Sequence, residues 1–196
     1  SLARQTVRAA ETAEMAELLE DLAECALANF WGEGGRALRF GHPSKHGRPK
    51  EFDQAIPWLA SIMGLEVGSG YRPPRRKDGG VDVVAWRQFA DRRPGFPMAL
   101  AQCTIQAETF SKTTDIDLRL WASWLAMDVD PLSLLVIPGT VKAAGPEWRQ
   151  LSSVVTVIDR IRMVELLTRG PIPDIDLAWT DATRALLAEF MEAAEL

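Results

Sequence analysis

The chain has 196 residues, 47% of them hydrophobic and 25% charged, with a formal net charge of −5. That length suits one domain with a substantial core, and that composition excludes wholesale disorder. The acidic balance argues against indiscriminate nucleic-acid binding. No apolar run approaches bilayer length and no signal-peptide pattern opens the chain, so a cytoplasmic protein with no membrane segment is expected.

The first predicted element is a helix from about Val7 to Phe30, with Leu18, Leu19, Leu22, Cys25, Ala26 and Phe30 near a helical period. Its acids, Glu11, Glu14, Glu17, Glu20, Asp21 and Glu24, have no basic residue among them. That face suits solvent or a protein partner rather than DNA. Trp31-Gly32-Glu33-Gly34-Gly35 breaks the helix. From Arg36 to Pro49 the chain carries Arg36, Arg39, Lys45, Arg48, His42 and His46 without an acid, and it reads as a mobile basic loop. Residues 1–49 are thus expected to form a helix and basic loop preceding an α/β domain over 50–196.

A second helix is predicted from about Lys50 to Met63, with Phe52, Ile56, Leu59 and Met63 on one face and Gly64 as C-cap. Pro57 should kink it or mark a late start. Strands follow at Leu65 to Tyr71, Val81 to Trp86 and Met98 to Gln106, the last two joined by a hairpin-like loop. A helix is expected from Thr113 to Met127 and an almost wholly apolar, central strand from Pro131 to Pro138. Lys142 to Gln150 is a loop or short helix, Val154 to Ile158 a strand, and Arg160 to Leu167 a helix or strand extension. Asp176 to Glu195 closes the chain as an amphipathic helix. Strands flanked by helices, with the early ones joined by short loops, give an α/β fold with a mixed central sheet.

The chemistry concentrates between Lys77 and Lys112. Asp78-Gly79-Gly80 feeds Val81-Asp82-Val83-Val84-Ala85, which sets one carboxylate inside an apolar run. Such a carboxylate is costly to bury unless a metal ion or hydrogen bonds compensate it. The next run, Ala99-Leu100-Ala101-Gln102-Cys103-Thr104-Ile105-Gln106, presents amides at Gln102 and Gln106. A basic cluster, Arg72, Arg75, Arg76 and Lys77, lies just before the Asp82 strand.

The order glycine turn, Val-Asp-Val-Val-Ala, loop, Ala-Gln-Cys resembles the core of the PD-(D/E)XK nucleases, closest in style to the Mrr-type restriction endonucleases. The resemblance implies a restriction endonuclease-like core with an N-terminal helical extension. It also implies an Asp on one strand and a Glu or Gln on the next holding Mg2+ (or Mn2+), here Asp82 and Gln102. A lysine two residues later should assist the attacking water, but Thr104 stands there. Lys112, at the approach to the next helix, is the candidate replacement, the alternative being a solvated surface lysine. A Glu on the preceding helix often points at the metal in that family. Asp53, or its neighbour Glu51, falls at the matching place, and either is otherwise a helix N-terminal acid favoured by the macrodipole.

Gln106 shares a strand face with Gln102 and is a candidate for the scissile phosphate or for a bond within the sheet. Arg72, Arg75, Arg76 and Lys77 are candidates for DNA phosphates. Other chemistries lack support: there is no nucleophile elbow or P-loop. His42 and His46 have no third zinc ligand, and Trp58, Trp121 and Trp124 fall on apolar faces. Cys25 and Cys103 are expected as buried thiols. The expected function is a metal-dependent DNA endonuclease of bacterial defence or restriction, with a homodimer as one way to cut both strands. Its rival is a catalytically inactive nuclease-fold subunit that binds nucleic acid or a protein partner.

Overall fold

A helix, α1, runs from Leu2 to Phe30 and turns back sharply into a strand, β1 (Gly35–Arg39). The computed structural model describes residues 2–41, 46–73, 77–106, 110–113, 115–142 and 145–170. After β1 come α2 (Phe52–Met63), β2 (Val83–Arg87), β3 (Met98–Cys103), a 3-10 turn (Phe110–Lys112) and α3 (Leu118–Trp124). Then follow β4 (Leu132–Val136), α4 (Pro146–Ser152), β5 (Thr156–Ile158) and α5 (Arg160–Thr168). The helix expected over 176–195 lies outside the described residues.

The strands form one five-stranded sheet in the order β1-β2-β3-β4-β5. The first three are mutually antiparallel, and β4 and β5 run parallel to β3. The fold is therefore α/β with a mixed sheet flanked by helices. β2 and β3 join as the expected hairpin, and both are buried along nearly their whole length because helices cover both faces.

Three expectations are corrected. The basic loop from Arg36 begins instead as β1, which pairs residue for residue with β2 from Gly35↔Arg87 to Arg39↔Val83. The strand expected over 65–71 is reduced to an isolated bridge, Val67↔Leu125. There Gly68 and Gly70 donate their backbone N–H to Trp124 and Ser123 carbonyls, so the segment lies along α3 rather than in the sheet. The helix expected over 113–127 is shorter. Asp117 starts it by accepting from the Arg119 and Leu120 amides, and Leu125 leaves it in extended backbone.

By contrast α2 starts on time and runs through Pro57. Pro57 and Asp53 are both exposed, so the Asp53 carbonyl that Pro57 cannot serve meets water. Gly64 ends the helix in the left-handed conformation, as expected.

The two faces of the sheet are covered differently. On one, α2 and α3 bury Phe40, Phe52, Trp121 and Trp124 in edge-to-face contacts with centroids 5.0–6.4 Å apart. On the other, α1 and α5 pack over Ala85, Ala99 and Ala101, with Ala23, Ala26 and Leu27 facing them. Asn29 Nδ2 ties α1 to α5 by donating to the Leu166 carbonyl at 3.0 Å. No helix among the described residues is long and apolar enough to cross a membrane.

Candidate functional site

The site is built at the end of the sheet where the chain enters β2. Asp78 Oδ1 accepts from the Gly80 N–H at 2.9 Å and closes the turn. Gly79 and Gly80 take φ of 67° and 81°, which favours glycine. A Cβ on Gly80 would stand 2.2 Å from the Asp115 carbonyl oxygen, so only glycine lets the segment before α3 pass so close. Trp121 Nε1 donates to the Gly79 carbonyl at 3.1 Å, anchoring the turn to the aromatic core.

Asp82 follows this turn, one residue before β2. Its N–H donates to the Ala101 carbonyl at 2.8 Å, and its own carbonyl accepts from Phe40 and Gly41 at 2.7 and 2.9 Å. The backbone is thus held by strands on both sides. Its carboxylate Oδ2 accepts from the Cys103 N–H at 2.7 Å. Oδ1 receives no hydrogen bond from the described residues.

From α1, Glu20 and Asp21 reach the same corner and clamp Arg39, at the end of β1, at 2.6 and 3.0 Å. Arg39 is 1% exposed. A Cβ on Gly41 would lie 3.1 Å from Glu20 Oε2 and 3.3 Å from Asp82 Oδ1, so the missing side chain leaves a gap bounded by two carboxylate oxygens. Burial pushes Asp82 up to about 7. The Cys103 N–H and Arg39 oppose that rise, and the charges of Glu20 and Asp78 add to it. Glu20 is also raised, by burial that outweighs Arg39. Burial and the Asp82 charge hold the Cys103 thiol well above its ordinary value, which makes it inert.

Gln102, on β3, is tied to the other side. Its Nε2 donates to Asp115 Oδ2 at 2.8 Å, and Lys112 Nζ donates to the same oxygen at 3.1 Å. Burial raises the Asp115 carboxyl, but these two donors outweigh it and leave the group below its usual value. Gln102 is 8% exposed, and its Oε1 is buried without a donor. Flipping the amide would set two acceptors face to face at Asp115, so the hydrogen-bond pattern fixes the orientation.

The sequence-derived residues thus separate into groups. Asp82 and Gln102 lie at one end of the β2–β3 pair, with Asp82 turned to the α1 partners and Gln102 to the segment before α3. Lys112 joins Gln102 through Asp115. Glu51 and Asp53 are exposed at the start of α2, and the structure gives their side chains no bond to Asp82 or Gln102. Arg72 Nη1 donates to the Gly68 and Gly70 carbonyls and braces its own loop. Lys77 is exposed, while its carbonyl accepts from Arg48, whose guanidinium stacks over Phe40. Arg75 and Arg76 lie outside the described residues.

Gln106 is exposed and gives its N–H to Thr104 Oγ1 at 3.1 Å. Thr104 itself is buried. His46 pairs with Glu24 at 2.9 Å, and His42 falls outside the described residues. Glu20, Arg39 and Asp115 escaped the sequence reading. The adjacent acids Glu20-Asp21 at the point where α1 turns apolar were the one available signal, and nothing in spacing marks Asp115.

Among the described residues no group of three or more His, Cys, Asp or Glu side chains is placed to hold a metal ion. A magnesium-type ion needs less, since it keeps several waters and takes one or two carboxylates. Asp82 Oδ1, with no donor among the described residues, and the buried Gln102 Oε1 are hard oxygens of the kind such an ion takes, but the first faces Glu20 and Gly41 while the Gln102 amide is bound to Asp115. Glu20, Asp21 and Asp82 facing a single guanidinium leave negative charge over, which also suits a dication. No protein-family model, curated protein or solved structure matches the chain.

Proposed function

We propose that the protein is a Mg2+- or Mn2+-dependent nuclease that hydrolyses DNA phosphodiester bonds, of the kind used in bacterial defence or restriction. The observation that carries this reading is the buried, donorless Oε1 of Gln102 on the strand next to Asp82. An isolated buried acceptor costs about 1–3 kcal/mol, a penalty that a bound cation removes. The adjacency of Asp82 and Gln102 on antiparallel strands is the relation that the resemblance to PD-(D/E)XK nucleases requires. Glu20 stands beside Asp82 from the helix that precedes β1, the part that Asp53 or Glu51 was expected to fill.

Asp82 would hold the ion with Glu20 supporting, and Gln102 would join them by turning its amide away from Asp115. Asp82 must give up its proton for this, so binding strengthens as pH rises through 7. Bound there, the ion would activate water and neutralise charge developing on the phosphate. Lys112 supplies the positive charge that Thr104 cannot, and Asp115 keeps it in place. Lys77, Arg72, Arg75 and Arg76 meet the DNA backbone, contacts that weaken with salt. Gln106, exposed and beyond the end of β3 at Cys103, would touch the phosphate from the segment that follows the strand.

The test incubates plasmid, linear duplex and single-stranded DNA with magnesium, manganese or EDTA, using wild type, Asp82→Ala and Lys112→Ala. Metal-dependent cutting lost in both variants supports the assignment. Cutting lost only in Asp82→Ala keeps the nuclease and discards Lys112. A buried Thr104 at the usual lysine position favours the second reading, a binding subunit on the same fold. DNA retention without cleavage under any metal would select it.

A further inference from the structure

The segment that lies along α3, residues 65–71, ends on an aromatic ring standing in water. Tyr71 is 80% exposed, against 51% for Phe89, the next most exposed ring among the described residues. Its backbone is nonetheless fixed. Gly68 and Gly70 each donate to an α3 carbonyl at 2.8 Å, and Trp124 Nε1 donates to the Tyr71 carbonyl at 2.9 Å. Arg72 Nη1 closes the loop onto the Gly68 and Gly70 carbonyls. Neither glycine has room for a Cβ against Ser123. A ring carried by so restrained a backbone has little freedom left to lose when a ligand covers it.

The surroundings are cationic. From Tyr71 the chain reads Tyr-Arg-Pro-Pro-Arg-Arg-Lys, with no acid. Lys77 is exposed, and so is Arg119, one turn before Ser123 on α3. The exposed acids of the same segments are Glu66 and Asp117, and Asp117 is occupied in starting α3. Val67 and Leu120, 41% and 36% exposed, add apolar surface on the same loop and helix. Two adjoining indoles link this surface to the Asp82 corner. Trp124 holds the Tyr71 carbonyl, and Trp121, with its ring centroid 5.6 Å away, holds the Gly79 carbonyl three residues before Asp82.

We propose that Tyr71 is a stacking platform for an unpaired base of single-stranded DNA whose phosphates lie on Lys77 and Arg119. An exposed ring among cations matches a single strand, which offers base faces and phosphates together. A duplex keeps its base faces stacked against one another and presents only the phosphates to this surface. The proposal rests on the DNA-binding part of the reading above and narrows its substrate to an unpaired strand. It needs no metal ion, so it is tested in EDTA, where cleavage plays no part.

The experiment measures fluorescence anisotropy of three dye-labelled probes: oligothymidylate of about 12 nucleotides, an abasic strand of the same length, and a blunt duplex. Tyr71→Leu keeps an apolar side chain without the ring, and the side chain's exposure leaves the fold intact. It should weaken oligothymidylate binding about tenfold while abasic and duplex binding stay within about twofold. Tyr71→Phe should restore wild-type affinity to within about twofold. Lys77→Ala and Arg119→Ala should each reduce the slope of log affinity against log salt by about 0.7, a slope that Tyr71→Leu leaves alone. Oligothymidylate binding unchanged in Tyr71→Leu overturns the proposal even if the nuclease assays succeed. An equal loss on the abasic strand overturns stacking, and wild type that binds neither DNA form overturns the platform and leaves the ring to a protein partner. Binding that depends on Tyr71 without cleavage under any metal supports the platform and rejects the nuclease.

Discussion

The two faces of the sheet solve different problems. Under α2 and α3 the contact is made by large rings, Phe40, Phe52, Trp121 and Trp124, whose edges meet and whose indole N–H groups hold loop carbonyls at Gly79 and Tyr71. Under α1 and α5 it is made by alanines, Ala85, Ala99 and Ala101 against Ala23 and Ala26. Rings fill volume and fix the turn that leads into Asp82. Alanines remove volume and let α1 come near enough for Glu20 and Asp21 to reach Arg39 and the Asp82 corner. One face immobilises the site, and the other brings charge to it.

The largest effect should come from breaking the aromatic face. Trp121→Ala removes a fully buried indole and its bond to Gly79, and it is expected to cost about 3–5 kcal/mol in urea denaturation. Loss of only a few tenths would mean that the turn is held without it.

Next comes the charge brought by the other face. Asp82 holds its proton more tightly folded than unfolded. Its contribution to stability is therefore complete below the ordinary carboxylate pKa and is lost as pH rises through about 7. In EDTA, wild type should lose on the order of 4 kcal/mol at most between pH 4 and pH 8 through this group. Asp82→Asn keeps an acceptor for the Cys103 N–H and should be the more stable protein at pH 8, with the two converging in acid. Parallel pH curves for the two would refute the burial argument. The smallest effect should come from refilling the alanine face: Ala101→Leu should destabilise by about 1–3 kcal/mol through overpacking. A neutral result would show that α1 is not closely seated.

This contrast also explains what the sequence could reveal. Apolar runs bounded by glycine and proline identified β2, β3, β4 and β5, because those strands are buried on both faces and carry their pattern locally. β1 was hidden because its basic residues are satisfied at a distance. Arg39 finds carboxylates 18 and 19 residues earlier, and Arg36 stacks over Trp86 at 5.1 Å. Conversely, the pattern at Leu65 to Tyr71 resembled a strand, but Gly68 and Gly70 bond to the end of α3. In the site, Asp82 and Gln102 could be picked out by a polar group inside an apolar run. Asp115, 13 residues beyond Gln102, enters only through the three-dimensional path around Gly80.

The placement of α2 has a consequence for how the chain reaches this state. β2 and β3 are neighbours joined by residues 88–97, whereas β1 and β2 are equally direct neighbours separated by residues 40–82. Closing a segment roughly four times longer costs about 1 kcal/mol more in chain entropy. Chain entropy thus favours closing the β2–β3 hairpin before β1 docks on β2. By the same argument, the corner where Glu20 and Arg39 meet Asp82 should form late, and its amides should exchange sooner than those of the β2–β3 hairpin.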